Sequence, residues 1–171
     1  MSASIALRAA ALAVALAFAA AADAKTLRWS SQGDILTMDP HAQNEGLNNS
    51  VSDHIYEPLV TRGKDLKIEP CLALSWKAAS PTAMQFKLRQ GIKFHDGTPF
   101  TADDVVFSIE RALAPTSNFS PYMQGITGAR KVDEQTVEIT TKGPNPVLLP
   151  QLTEVRVMSK AWATKHNVLK P

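Results

Sequence analysis

The stretch GIKFHDGTPFTADDVVFSIER, residues 91–111, brings His95, Asp96, Asp103, Asp104 and Glu110 into one short segment. A histidine beside a carboxylate can move protons, and several carboxylates with a histidine can hold a divalent metal. The same spacing fits simpler chemistry. Thr101 stands three residues before Asp104, the pattern of a capping box at a helix start. Asp103 and Asp104 then face the positive end of the helix dipole, with Arg111 near the other end. Val105, Ile109 and Leu113 recur as a buried stripe, Phe107 lies on the next face, and Pro115 stops the helix. Asp96-Gly97 is a turn dipeptide. His95 is left alone and reads as a hydrogen-bonded structural residue, since a zinc site needs three or four convergent ligands.

Elsewhere the chain offers little catalytic chemistry. His41, His54 and His166 are far apart in sequence and show no metal-ligand spacing. No G-x-S-x-G elbow is present and no glycine-rich loop opens a helix. Cys71, the single cysteine, lies in EPCLALSW and reads as a small buried thiol. A pair of carboxylates for glycoside chemistry is not eliminated by spacing, but nothing singles one out. A secreted hydrolase built on His95 and Asp96 therefore lacks a visible nucleophile or metal partner. Neither a catalytic set, a metal site nor a cofactor is expected.

The elements that must position these residues follow from periodicity. TLRWSSQ alternates Leu27 and Trp29 against polar neighbours and predicts a half-buried strand. The polar stretch from Gly33 to Gly46 predicts a long loop held extended at Asp39-Pro40. Leu47, Val51 and Ile55 share one helical face until Pro58. LVTR predicts a short strand and GKDL a turn. Met84, Phe86 and Leu88 alternate with Gln85, Lys87 and Arg89, and Val137, Ile139 and Thr141 with Glu138 and Thr140, giving two strands with one buried face each. GPNPVLLP predicts a turn into a very short helix cut off by Pro150. VRVM predicts a buried strand, and Ser159 the cap of a final helix in SKAWATKHN.

Composition sets the compartment. One arginine, Arg8, precedes an unbroken apolar run from Ala9 to Ala22, and Ala22-Asp23-Ala24 follows as an A-x-A cleavage site. That is the pattern of a secretory signal peptide over residues 1–24. The run is shorter than the roughly 18 to 20 apolar residues a transmembrane anchor needs. Residues 25–171 suffice to bury about two-thirds of the unfolded surface in one core. A formal charge of +2, with no cluster of Lys and Arg, gives no reason to expect nucleic acid or an anionic membrane as partner.

With its residues read this way, the 91–111 stretch closely resembles the most recognisable segment of the family-5 extracytoplasmic solute-binding proteins, the peptide, nickel and related receptors of ATP-binding-cassette importers. TMDPH, IYEPLV, EPCLALSWK and MQFKLRQGIKF resemble further family segments in the same order and spacing. The resemblance implies an α/β fold of the periplasmic-binding-protein type II, of which this chain is the first lobe only, ending at KHNVLKP before an expected G-T-G-P-Y segment and the second lobe. It implies residues 25–62 as the start of that lobe, 63–155 as an extra α/β subdomain and 156–171 as the return to the lobe. It further implies a monomeric periplasmic receptor that captures a small solute, with a short peptide expected, and delivers it to an inner-membrane permease. Ligand contact is expected at Asn44, Glu45, Gly46 and Leu47, and at Tyr122 in SPY. For the loop the alternative is an ordinary solvated connection, and for Tyr122 a packed aromatic. A truncated, non-functional product of such a gene is the alternative for the whole chain.

Overall fold

The computed structural model describes Thr26 and residues 28–171. The signal peptide expected over residues 1–24 and the Leu27 half of the first expected strand lie outside the described residues. Of the first unit, ending at Gln32, the described residues take up no regular secondary structure, and Trp29 is 63% exposed. The strand expected in TLRWSSQ is thus not seen among the described residues, where no strand pairs with this segment; alternation alone does not satisfy a strand's backbone groups.

Residues Gly33–Pro171 form the second unit. Helix α1 (Gly46–Ser52) is followed by a two-stranded antiparallel ribbon, β1 (Val60–Arg62) with β2 (Ile68–Pro70). A four-stranded antiparallel sheet follows, built from β3 (Ala73–Ser80), β4 (Ala83–Leu88), β5 (Ile126–Asp133) and β6 (Thr136–Thr141) in the order β3-β4-β6-β5. Between β4 and β5 run helix α2 (Ala102–Leu113) and a 3-10 turn, Ser120–Met123. Two short helices close the unit, α3 (Leu148–Leu152) and α4 (Lys160–Lys165).

The two strands predicted by alternation form the centre of the sheet. Phe86 pairs with Val137 and Met84 with Ile139, so one face of β4 and β6 is apolar across both strands. Against that face pack Val105, Ile109 and Ala112 of α2, all buried, together with Phe119, Met123 and Leu152. Burying an aliphatic or aromatic side chain of this size contributes about 1.5 to 3 kcal/mol. On the opposite face Glu138, 7% exposed, accepts from Gln85 Nε2 at 2.9 Å and Arg130 Nε at 2.9 Å.

Strands β3 and β5 are absent from the periodicity for local reasons. β3 is an edge strand with most side chains exposed on both faces, so its residues need not alternate. β5 carries Gly128, at φ 156°, where the register against β6 shifts. VRVM is buried but is not a strand: it makes one antiparallel bridge, Arg156 with Pro58. Pro150 does not end the short helix but lies inside its first turn, where a missing N–H costs nothing. Cys71 is half-buried, not buried, and its thiol, held up by burial and by nearby Glu57, reaches Glu57 Oε1 at 3.7 Å.

The capping box closes as expected. Asp104 Oδ2 accepts from the Thr101 N–H at 2.8 Å and from its hydroxyl at 2.7 Å. The other oxygen, Oδ1, accepts from the Lys160 N–H at 2.8 Å. One buried carboxylate therefore caps α2 and also holds the start of α4, where Ser159 Oγ accepts from Trp162 N–H at 3.1 Å.

Arg111 lies in the last turn of α2, as its spacing predicted, and its side chain is buried there, 2% exposed. It grips the loop before α1 through Asp39, with NH1 donating to Oδ1 at 2.7 Å and NH2 to Oδ2 at 2.5 Å. NH2 also donates to the Lys170 carbonyl at 2.9 Å. His41, fully buried, sits next to this pair. Its Nδ1 faces Arg111 NH1 at 3.3 Å and its Nε2 the Arg156 carbonyl at 3.0 Å. A guanidinium only donates and a carbonyl only accepts, so His41 is the neutral tautomer protonated on Nε2. Burial first, and then the Arg111 charge, lower its pKa from 6.5 to about 4. Burial raises the Asp39 carboxyl, but the Arg111 hydrogen bonds, the His41 N–H and the Arg111 charge outweigh it and leave the pKa lowered.

Three outcomes follow from these contacts. Arg111→Met, which strands the Asp39 carboxylate, lowers the unfolding free energy by about 3 kcal/mol in urea titration; a loss below about 1 kcal/mol contradicts the clamp. Thr101→Ala costs about 1 kcal/mol and Asp104→Ala more than that in the same titration, because Asp104 serves two helix starts; equal losses contradict the shared cap. Between pH 6.5 and pH 4 the unfolded chain takes up a His41 proton that the folded chain refuses, so stability is full above pH 6.5 and falls with pH through that window, by about 3 kcal/mol. Asp39, lowered as well, extends the loss to more acid pH. His41→Asn flattens the window in pH-resolved denaturation; an unchanged slope contradicts the assignment.

Candidate functional site

The expected contact residues lie on the loop that the clamp holds and on the turn beside it. The loop from Gly33 to Glu45 has no regular secondary structure, as its polarity predicted, but it is firmly tied. Asn48, 2% exposed, accepts from the Leu36 N–H at 3.0 Å and donates to the Thr37 carbonyl at 2.7 Å. That bond set explains a departure from the sequence reading. The inward side of α1 is Asn48 and Ser52, while Leu47, Val51 and Ile55 are only half-buried, because the loop's free backbone groups need a polar side chain more than the core needs another leucine.

The four predicted loop residues stand together at the start of α1. Glu45 is the N-cap residue, and its carbonyl accepts from the Asn49 N–H at 2.9 Å. Glu45 and Gly46 are exposed, Asn44 and Leu47 half-buried. Asn44 Oδ1 accepts from Asn49 Nδ2 at 2.8 Å.

Tyr122, 50% exposed, is joined to this loop by the turn that carries it. The Asn118 N–H donates to the His41 carbonyl at 3.2 Å, Asn118 Nδ2 to the Ala42 carbonyl, and Ser117 Oγ to the His41 carbonyl at 3.2 Å. The rings of His41, Phe119 and Tyr122 follow one another, with centroids 6.0 Å and 6.4 Å apart. The ring of Tyr122 is therefore a half-exposed aromatic at the end of a buried series, which is neither the solvated nor the fully packed extreme.

A concave surface lies elsewhere in the unit. A groove of about 250 Å³ is lined by Tyr56, Ile92, Phe94, Phe100, Met158 and Trp162, among others. None of the five predicted contact residues lines it. His95 and Asp96 do, on the turn closed by Thr98, whose N–H and hydroxyl donate to Asp96 Oδ1 at 2.9 Å and 2.6 Å. Asp96, not His95, holds that turn, and His95 is exposed, contrary to the structural histidine expected from the sequence. Ser159, also on the groove, is engaged as a helix cap. No group of three His, Cys, Asp or Glu side chains that could hold a metal ion exists among the described residues. No helix among them is long and apolar enough to cross a membrane.

Comparison with known proteins identifies the family of the chain. The sequence model described as bacterial extracellular solute-binding proteins, family 5 (middle), matches residues 67–171. The glutathione-binding protein GsiB of Escherichia coli K12 is 33% identical over 136 residues, 78% of this chain and 27% of the relative. The structure of AgaA from A. tumefaciens R10 in complex with agropinic acid superposes with a TM-score of 0.73 at 34% identity, covering 79% of this chain and 28% of that one. The structure of DppA from Helicobacter pylori in complex with the peptide STSA gives 0.64 at 26% identity, covering 78% and 31%. This chain thus spans between a quarter and a third of the length of each. The mixed α/β unit matches part of each solved structure, and with a family match over more than half its residues the chain belongs to the family-5 bacterial extracellular solute-binding proteins.

Proposed function

We propose that this chain is part of the first lobe of a periplasmic receptor that captures a short peptide and hands it to the permease of an ATP-binding-cassette importer. In this reading residues 25–62 and 156–171 belong to the lobe itself and 63–155 to a subdomain set into it, with residues 1–24 exporting the chain. The contact surface is Asn44, Glu45, Gly46, Leu47 and Tyr122. Asn118 carries the proposal, because its bonds to His41 and Ala42 hold the Tyr122 turn against the loop that ends in those four residues. Backbone groups, an amide, a carboxylate and an aromatic ring are what an amino-acid-derived ligand needs for orientation.

Capture of this kind needs no covalent step. A ligand that binds the shut arrangement of two lobes better than the open one shifts the population toward it. The relatives that are about a third identical include a glutathione-binding protein and one solved with agropinic acid; glutathione is itself a tripeptide. The AgaA likeness favours a second reading, an opine acid as ligand.

Thermal unfolding in the presence of glutathione, the peptide Ser-Thr-Ser-Ala and agropinic acid tests both. A bound ligand at about 100 times its Kd stabilises by about 2.7 kcal/mol. Stabilisation by a peptide, reduced in Tyr122→Ala without a change in the unliganded midpoint, is expected; stabilisation by agropinic acid alone gives the second reading. No shift with any of the three contradicts binding by this chain and favours its rival, a non-functional product.

A further inference from the structure

Arg156 sets the direction of a hydrogen-bond relay that ends at the proposed ligand loop. Its side chain is 3% exposed. Nε and NH2 donate to Asp53 Oδ1 at 2.9 and 2.7 Å, and NH1 donates to Asn49 Oδ1 at 3.4 Å. The guanidinium carbon also stands 5.7 Å from the centre of the Phe119 ring, so the group is fixed from two sides. Because a guanidinium has no acceptor, the Asn49 atom facing it must be the oxygen. Asn49 then has only its amide nitrogen to offer Asn44, which it does at 2.8 Å, and Asn44 must answer with Oδ1. The Asn44 amide nitrogen is left without a partner among the described residues, on a half-buried side chain.

An asparagine ordinarily turns its amide either way to suit a ligand. Here that freedom is removed by Arg156, acting through Asn49. We infer that Arg156 and Asn49 are positioning residues that fix Asn44 as a donor, and that Asn44 Nδ2 recognises an acceptor oxygen of the ligand, a carboxylate or a peptide carbonyl. The inference rests on the reading that the loop is a contact surface. It adds the polarity of that contact: a ligand presenting an ammonium or amide N–H at this point is rejected, because two donors meet without an acceptor.

Asn49→Asp reverses the relay while keeping the size of the side chain. An aspartate accepts from Arg156 and can only accept from Asn44, which then turns Nδ2 inward and Oδ1 outward. Calorimetric titration of the whole chain with glutathione, Ser-Thr-Ser-Ala and agropinic acid compares the wild type, Asn49→Asp, Asn49→Ala and Asn44→Asp. For whichever probe the wild type binds, N49D and N44D lose about tenfold or more, the worth of one hydrogen bond to a charged acceptor, while both variants remain folded by circular dichroism. N49A, which frees the amide without adding charge, loses less than N49D but binds more weakly than the wild type.

Nitrogen-15 spectra of the side-chain amides, recorded without ligand, read the relay separately. Slow exchange at Asn49 Nδ2 with fast exchange at Asn44 Nδ2, reversed at Asn44 in N49D, is expected. Wild-type affinity in N49A shows that charge alone acts and overturns the recognition. Equal protection of the two amides overturns the fixed polarity. Failure of the wild type to bind any probe, with the protection pattern intact, overturns the loop as a contact surface and leaves Arg156 and Asn49 as purely structural.

Discussion

Two buried guanidinium groups govern the arrangement of this molecule. Arg111 and Arg156 are each 2% exposed, and a buried cation is tolerated only when paired and fully hydrogen-bonded. Arg111 satisfies the rule through Asp39 and two carbonyls near the end of the chain, Val168 and Lys170. Arg156 satisfies it through Asp53 and Asn49. His41 lies where the two meet, bonded to the side chain of one and the backbone of the other. The Asp39–His41 segment, with little apolar surface of its own, is thereby held by charge and hydrogen bonds.

The remainder of the fold rests on ordinary burial. β4 and β6 supply an apolar face, α2 covers it, and the Asp104 carboxylate joins the start of α2 to the start of α4. The 3-10 turn follows from α2 through Ser117 and Asn118, and both residues bond to the backbone of the clamped loop. Core, clamp and candidate contact surface are therefore continuous: Phe119 belongs to the core, touches His41 edge-on, and lies under the Arg156 guanidinium.

What the sequence made legible was the part governed by local rules. Thr101 and Asp104 announce a helix start, and Met84, Phe86 and Leu88 announce a strand, because capping and alternation act over three or four residues. β3 was hidden because an edge strand exposed on both faces has no reason to alternate, and β5 because Gly128 interrupts it at a bulge. Arg111 showed its place at the helix end but not its burial: its partner, Asp39, is 72 residues away, and no spacing rule reaches that far. The same holds for Asn48, a helix residue whose polar side chain is buried to serve a loop before it. The five candidate contact residues came from resemblance, while their joining through Asn118 could be read only from the fold.

The central claim is that the loop at Asn44–Leu47 and the ring of Tyr122 form one ligand surface, distinct from the groove beneath Phe94 and Trp162. Amide chemical-shift mapping of the whole chain with glutathione or Ser-Thr-Ser-Ala decides between the two surfaces directly. The account predicts perturbations concentrated at residues 44–47, 118 and 122, with residues 92–96 and 162 silent. Perturbations confined to residues 92–96 and 162, with the loop and Tyr122 silent, contradict it.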